Sequence, residues 1–139
     1  MEFSAETTIA APAETIWAIL TDAYNYPKWD PNMERLEGTV ALGQKITAHT
    51  KISDRAFPVT VSVFEPNRSM VWRSGMPLGL FKGERSFVLT DNGDGTVQVR
   101  VRELFSGLLL PLIGRTIPDL QPTFDQFVAG LKAEAEGKG

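Results

Sequence analysis

Apolar and polar residues alternate in short runs along most of this chain, and the period changes only twice. Phe3, Ala5, Thr7 and Ile9 share one parity, which predicts a first strand over residues 2–10. After that the period lengthens. Ile16, Ile19, Leu20 and Ala23 form a helical stripe behind Pro12, a residue suited to a helix's first position. A second short helix is expected over residues 22–28, ended by Pro27 or by the Trp29-Asp30-Pro31 turn. Five strands then follow with no helix between them. Residues 45–53 set Ile46, Ala48, Thr50 and Ile52 against Lys45, Thr47, His49 and Lys51. Residues 57–64 group Val59, Val61 and Val63, and residues 69–74 group Met70 with Trp72. Residues 80–90 group Phe81, Gly83, Arg85, Phe87 and Leu89, and residues 96–105 group Val97, Val99, Val101, Glu103 and Phe105. A further short strand is expected near Arg35 to Val40. The helical period returns with Ile117, Leu120, Phe124, Phe127, Val128 and Leu131, where Pro118 and Pro122 argue for a late start or an early kink. Residues 133–139 are small and charged and are expected to fray.

Period-two strands with one apolar face predict an antiparallel sheet buried on one side. With helices segregated before and after it, the fold class is α+β. The 139 residues suit one domain, residues 1–139, with one core. Net charge is −3 with no basic run, so no nucleic-acid partner is expected. The absence of cysteine removes disulfides and thiolate chemistry. Residues 1–6 show no secretory signal, and the apolar stretch from Leu104 to Ile113 is too short to span a bilayer. The expected address is cytoplasmic, without stable membrane insertion.

Arg85 and Glu103 each interrupt an apolar strand face. The turn Asp91-Asn92-Gly93-Asp94-Gly95 joins their strands as a hairpin, and counting back from it puts the two side chains on one face, opposite or one step diagonal. Such neighbours lie within ion-pair reach. The pair fits three roles: fixing strand register, reaching solvent at the sheet end, or orienting a ligand. His49, the only histidine, shares a polar face with Lys45 and Lys51 and has no serine or carboxylate spaced to work with it. The Asp91–Gly95 segment lacks the late bidentate acid of a calcium loop, since Arg102 stands there. No phosphate loop, dinucleotide fingerprint or zinc spacing is present, so no cofactor and no metal are expected.

The block Ile9-Ala10-Ala11-Pro12-Ala13-Glu14-Thr15-Ile16-Trp17, then Asp22, then Tyr26-Pro27-Lys28-Trp29-Asp30-Pro31, resembles the START-like (SRPBCC) superfamily. These helix-grip proteins include polyketide cyclases and dehydratases, plant pathogenesis-related proteins and lipid-transfer domains. Gly83 with Phe87, the Gly95-Thr96 turn, and Glu103-x-Phe105-x-Gly107 extend the likeness over nearly the whole chain. Many relatives carry histidine where this chain has Arg85. The resemblance implies a curved sheet of about six or seven strands wrapped around a long C-terminal helix, two short helices after the first strand, and an internal cavity. Inward parity and the helical stripe then nominate Val61, Trp72, Arg85, Phe87, Val101, Glu103, Ile117, Leu120 and Phe124 as ligand-binding residues, with ordinary core as the alternative for each apolar one. Trp29 and Phe81 are further aromatics able to join them.

The reading that follows is binding of a small hydrophobic or amphipathic molecule, such as a lipid, polyketide or isoprenoid-like compound. The alternatives are a cyclase, dehydratase or isomerase with Glu103 as base and Arg85 as electrostatic stabiliser, and a protein-interaction module. A carboxylate held by an arginine is a weak base, which favours binding. The oligomeric state is open.

Overall fold

The computed structural model describes residues 1–137. Strand β1 (Glu2–Ile9) leads into helix α1 (Ala13–Thr21), a single 3-10 turn, and the short helix α2 (Tyr26–Trp29). Six strands follow: β2 (Met33–Glu37), β3 (Lys45–Thr50), β4 (Ala56–Glu65), β5 (Ser69–Gly75), β6 (Lys82–Asp91) and β7 (Val97–Ser106). A short helix α3 (Leu110–Ile113) and a 3-10 turn precede the long helix α4 (Gln121–Ala135). All seven strands form one curved antiparallel sheet in the order β1-β7-β6-β5-β4-β3-β2. This is the expected α+β helix-grip arrangement. No helix among the described residues is long and apolar enough to cross a membrane.

The prolines punctuate helix starts. Pro12 caps α1, so the helix begins at Ala13 rather than at Pro12, and its carbonyl accepts the Thr15 and Ile16 N–H groups at 3.1 and 3.2 Å. Pro27 opens α2 instead of ending it, because the first helical positions need no N–H donor. Pro122 does the same in α4, so Ile117 lies before the helix and Leu120 at its cap position. The helix continues through Ala135, and of the tail expected to fray over 133–139, residues 138 and 139 lie outside the described residues.

Three strand expectations change. A bulge between Val61 and Val63 rotates the end of β4, so Val61 is fully buried while Val63 turns outward and Phe64 packs 5.3 Å from Trp17. Strand β3 stops at Thr50, which leaves Ile52 about half exposed at 49%. Strand β6 starts at Lys82, so Phe81 precedes it and stacks on Phe105 with ring centroids 5.9 Å apart.

Helix α4 packs its Phe124, Phe127, Val128 and Leu131 stripe onto the inner face of the sheet, chiefly against β1 and β7. Helix α2 closes on the same helix. Trp29 meets Phe127 edge-on at 5.0 Å, and Lys28 pairs with Glu134 at 3.1 Å. The contact is close because Gly130 has no side chain: a Cβ there would lie 2.0 Å from the Trp29 carbonyl oxygen.

Candidate functional site

Between α4 and the inner sheet face lies a cavity of about 190 Å³. The sheet contributes Trp72, Ser74, Arg85, Val101, Glu103 and Phe105. Leu120, Thr123, Phe124 and Phe127 close it from the α4 side, and Asp30, Asn32 and Met33 from the segment behind α2. Ala48, Thr50, Ile52, Phe57 and Val59 finish the wall along β3, β4 and their connection. Most of this surface is apolar, as expected of a small-molecule cavity with a few placed polar groups.

Arg85 and Glu103 sit directly opposite each other in the β6–β7 ladder. The Arg85 Nε–H donates to Glu103 Oε1 at 3.0 Å, and the two side chains keep 27% and 12% of their exposure. The same guanidinium lies over the Phe124 ring, 4.8 Å from its centre, so helix and sheet both hold it. The hairpin that sets this register closes through Asp91 Oδ1 and Asp94 Oδ1, which accept the Gly93 and Thr96 N–H groups at 2.8 and 3.0 Å. Those acids therefore serve the turn.

Of the residues nominated by parity, Trp72, Arg85, Val101, Glu103, Leu120 and Phe124 line the cavity. Val61 and Phe87 do not; both are fully buried behind it as core. Ile117 is not in the lining either, because the chain has not yet entered α4 there. Among the further aromatics, neither Trp29 nor Phe81 lines it. His49 stands outside it and contacts Glu37 across β2 and β3, and that contact holds the exposed Glu37 carboxyl below its usual range.

Asp30 is a charged cavity residue the sequence did not single out. Only 5% of it is exposed, and it is the one buried charged residue among those described. Its Oδ1 accepts the Asn32 N–H at 3.1 Å. Burial raises its carboxyl above the ordinary aspartate value, and the Asn32 hydrogen bond and the Arg85 charge offset that only in part. Nearby, the fully buried Tyr26 hydroxyl donates to the Leu20 carbonyl at 2.6 Å, and burial pushes its phenol up. Two more buried polar atoms of the lining, Trp72 Nε1 and Thr50 Oγ1, have no hydrogen-bond partner among the described residues. No group of three or more His, Cys, Asp or Glu side chains among the described residues is placed to hold a metal ion.

The model of the polyketide cyclase / dehydrase and lipid transport family matches residues 1–136. No curated protein matches the chain. Among solved structures, a START superfamily protein from Mycobacterium smegmatis is similar at a TM-score of 0.75 and 20% identity, covering 99% of each chain. The Zhui aromatase/cyclase from Streptomyces sp. R1128 is similar at a TM-score of 0.72 and 15% identity, covering 98% of this chain and 93% of that one. A norcoclaurine synthase point mutant from Thalictrum flavum, in complex with a transition state analogue, is similar at a TM-score of 0.72 and 14% identity, covering 100% and 96%. At these identities the likeness establishes a common fold.

Proposed function

The chain belongs to the polyketide cyclase / dehydrase and lipid transport family, and from that premise we propose that it binds a small hydrophobic or amphipathic molecule, lipid, polyketide or isoprenoid-like, between α4 and the sheet. The observation that carries this reading is the mainly apolar cavity of about 190 Å³ with one ion pair in its wall. A dry engineered cavity of about 150 Å³ accepts benzene, so this one has room for a compound of one or two rings or a short chain segment. The apolar part lies against Trp72 and Phe124, and the polar end meets Arg85.

Native mass spectrometry of freshly purified protein, with extraction and identification of any bound compound, tests the reading. A thermal-shift panel of lipids, aromatic polyketides and isoprenoid quinones follows. The expected result is a retained compound or a saturable upward shift. Failure of every apolar compound to bind, with specific capture of a protein partner, would sink it.

A second reading, an enzyme of the cyclase, dehydratase or isomerase kind, draws on the buried Asp30 carboxyl, a titratable group inside the cavity in addition to Glu103. Turnover of a bound compound, lost in Glu103→Gln with binding kept, supports it. Saturable binding without turnover supports a carrier.

A further inference from the structure

Three neighbouring strands bring partly open polar groups of the cavity wall together. Ser74 of β5 pairs with Gly83 of β6, and Gly83 pairs with Phe105 of β7. Two residues further along β6, Arg85 pairs with Glu103. Ser74, Arg85 and Glu103 all line the cavity and are only part-buried. The sealed, unpartnered polar atoms of the lining are Trp72 Nε1 and Thr50 Oγ1, and no atom of these three residues is among them.

Gly83 makes the arrangement possible. A Cβ there would lie 3.2 Å from Ser74 Oγ, 3.4 Å from Glu103 Oε2 and 3.3 Å from Phe105 Cε1. The two oxygens therefore converge over bare backbone, with the Phe105 ring walling the same spot, and any side chain at position 83 would crowd the gap. The Arg85 Nε–H holds Glu103 Oε1 at 3.0 Å, which leaves Oε2 turned toward Gly83. Among the described residues, no hydrogen bond engages Oε2, Ser74 Oγ or the Arg85 Nη donors.

The count of donors and acceptors decides what fits. Glu103 Oε2 can only accept, the Arg85 Nη groups can only donate, and the Ser74 hydroxyl can do either. A ligand hydroxyl satisfies both kinds, donating to Oε2 while accepting from Ser74 or Arg85. A carbonyl or ether oxygen leaves Oε2 without a donor. That loss is the larger one, because a hydrogen bond to a carboxylate is about twice as strong as one between neutral groups. Charge disfavours ions. Arg85 and Glu103 cancel, so a ligand carboxylate meets Glu103 and a ligand ammonium meets Arg85, and the desolvation of either goes largely uncompensated.

We propose that Ser74, Glu103 and Arg85, converging beside Gly83, form a subsite for a ligand hydroxyl, so that the cavity selects apolar molecules ending in an alcohol or phenol. The inference rests on the cavity-binding reading and names the ligand chemistry it admits. Ser74 and Gly83 set this specificity.

Five naphthalenes of matched shape test it: 2-naphthalenemethanol, 2-naphthaldehyde, 2-naphthoate, 2-naphthylmethylammonium and 2-ethylnaphthalene. Their affinities are measured by calorimetry on the full chain and on Ser74→Ala, Ser74→Thr and Gly83→Ala. The alcohol should bind about tenfold tighter than the aldehyde, the scale of one charge-assisted hydrogen bond, and several-fold tighter than the hydrocarbon or either ion. Ser74→Ala should lower the ratio of alcohol to hydrocarbon affinity several-fold, and Ser74→Thr, which keeps the hydroxyl, should restore it. Gly83→Ala, whose methyl crowds the gap, should lower the same ratio. A purely structural role for Ser74 would weaken all five probes alike. That result, an alcohol no tighter than the aldehyde, tightest binding of either ion, or a ratio that survives Ser74→Ala overturns the subsite and leaves the cavity reading standing. If none of the five binds, both fall.

Discussion

At the residue scale, the fate of a side chain turns on whether its burial can be read from its own strand. Arg85 and Glu103 were legible because each breaks an apolar alternation, and hairpin counting then placed them together. Asp30 was not legible. It stands between Trp29 and Pro31, where a polar residue is the default, and the cavity it lines is completed by residues of β6, β7 and α4, far away in sequence. Its raised carboxyl makes a prediction about stability. The folded state holds the Asp30 proton to higher pH than the unfolded chain does. The folded protein thus loses stability as pH rises from the ordinary carboxylate range to the raised value, and stays lower above it. Asp30→Asn keeps an acceptor for the Asn32 N–H and removes the titration. Denaturation midpoints of the two proteins across pH should therefore diverge on the acid side, with the aspartate protein falling relative to the asparagine variant. Parallel profiles would count against a raised Asp30 carboxyl. Glu103→Ala should cost about 1–3 kcal/mol in chemical denaturation, since it strands a half-buried guanidinium that still packs over the Phe124 ring. The partial exposure of Arg85 keeps the cost below that of a fully buried pair.

At the element scale, strand and helix types followed from period, whereas errors gathered where one residue changes the geometry. The Val61–Val63 bulge reverses which side chains of β4 face inward, and alternation alone carries no mark of it. Ile117 has helical spacing relative to Phe124, yet the chain before Gln121 turns through a 3-10 segment, so the spacing misplaced it. Gly130 is the opposite case, a helix-interior glycine whose reason lies in another element. Alanine there would favour the helix by up to about 1 kcal/mol. Its Cβ would also strike the Trp29 carbonyl at 2.0 Å, forcing α2 off α4. Overpacking of this kind costs about 1–3 kcal/mol, so Gly130→Ala should lower stability despite the better propensity. Urea denaturation checks the sign. An unchanged or higher midpoint would show that α2 shifts without penalty.

At the scale of the whole molecule, the order of elements gave the helix grip, but the cavity's shape depends on how far α4 stands from the sheet, which no single strand or helix encodes. Parity therefore counted Val61 and Phe87 as lining when packing makes them core, and it passed over Ala48, Thr50 and Phe57 on the outer strands.

Those outer strands offer a test of whether the void is a binding site or a packing defect. Ala48 lies on β3 between Leu36 of β2 and Phe57 of β4, and its side chain borders the cavity. Leucine there adds three carbons to a space of about 190 Å³, so the new atoms have room without displacing backbone. At about 0.8 kcal/mol per buried methylene, the ceiling is about 2 kcal/mol of added stability, lowered by rotamer entropy and imperfect fit. A net gain of about 1 kcal/mol is expected, visible as a thermal midpoint a few degrees higher in ligand-free protein. If the cavity binds the ligand, the same substitution should weaken binding, because it occupies the volume the apolar part needs. The ligand-induced shift of the native protein, about 2.7 kcal/mol at a hundredfold excess over Kd, should then shrink or vanish in the variant. Greater stability with undiminished binding would place the ligand elsewhere on the fold.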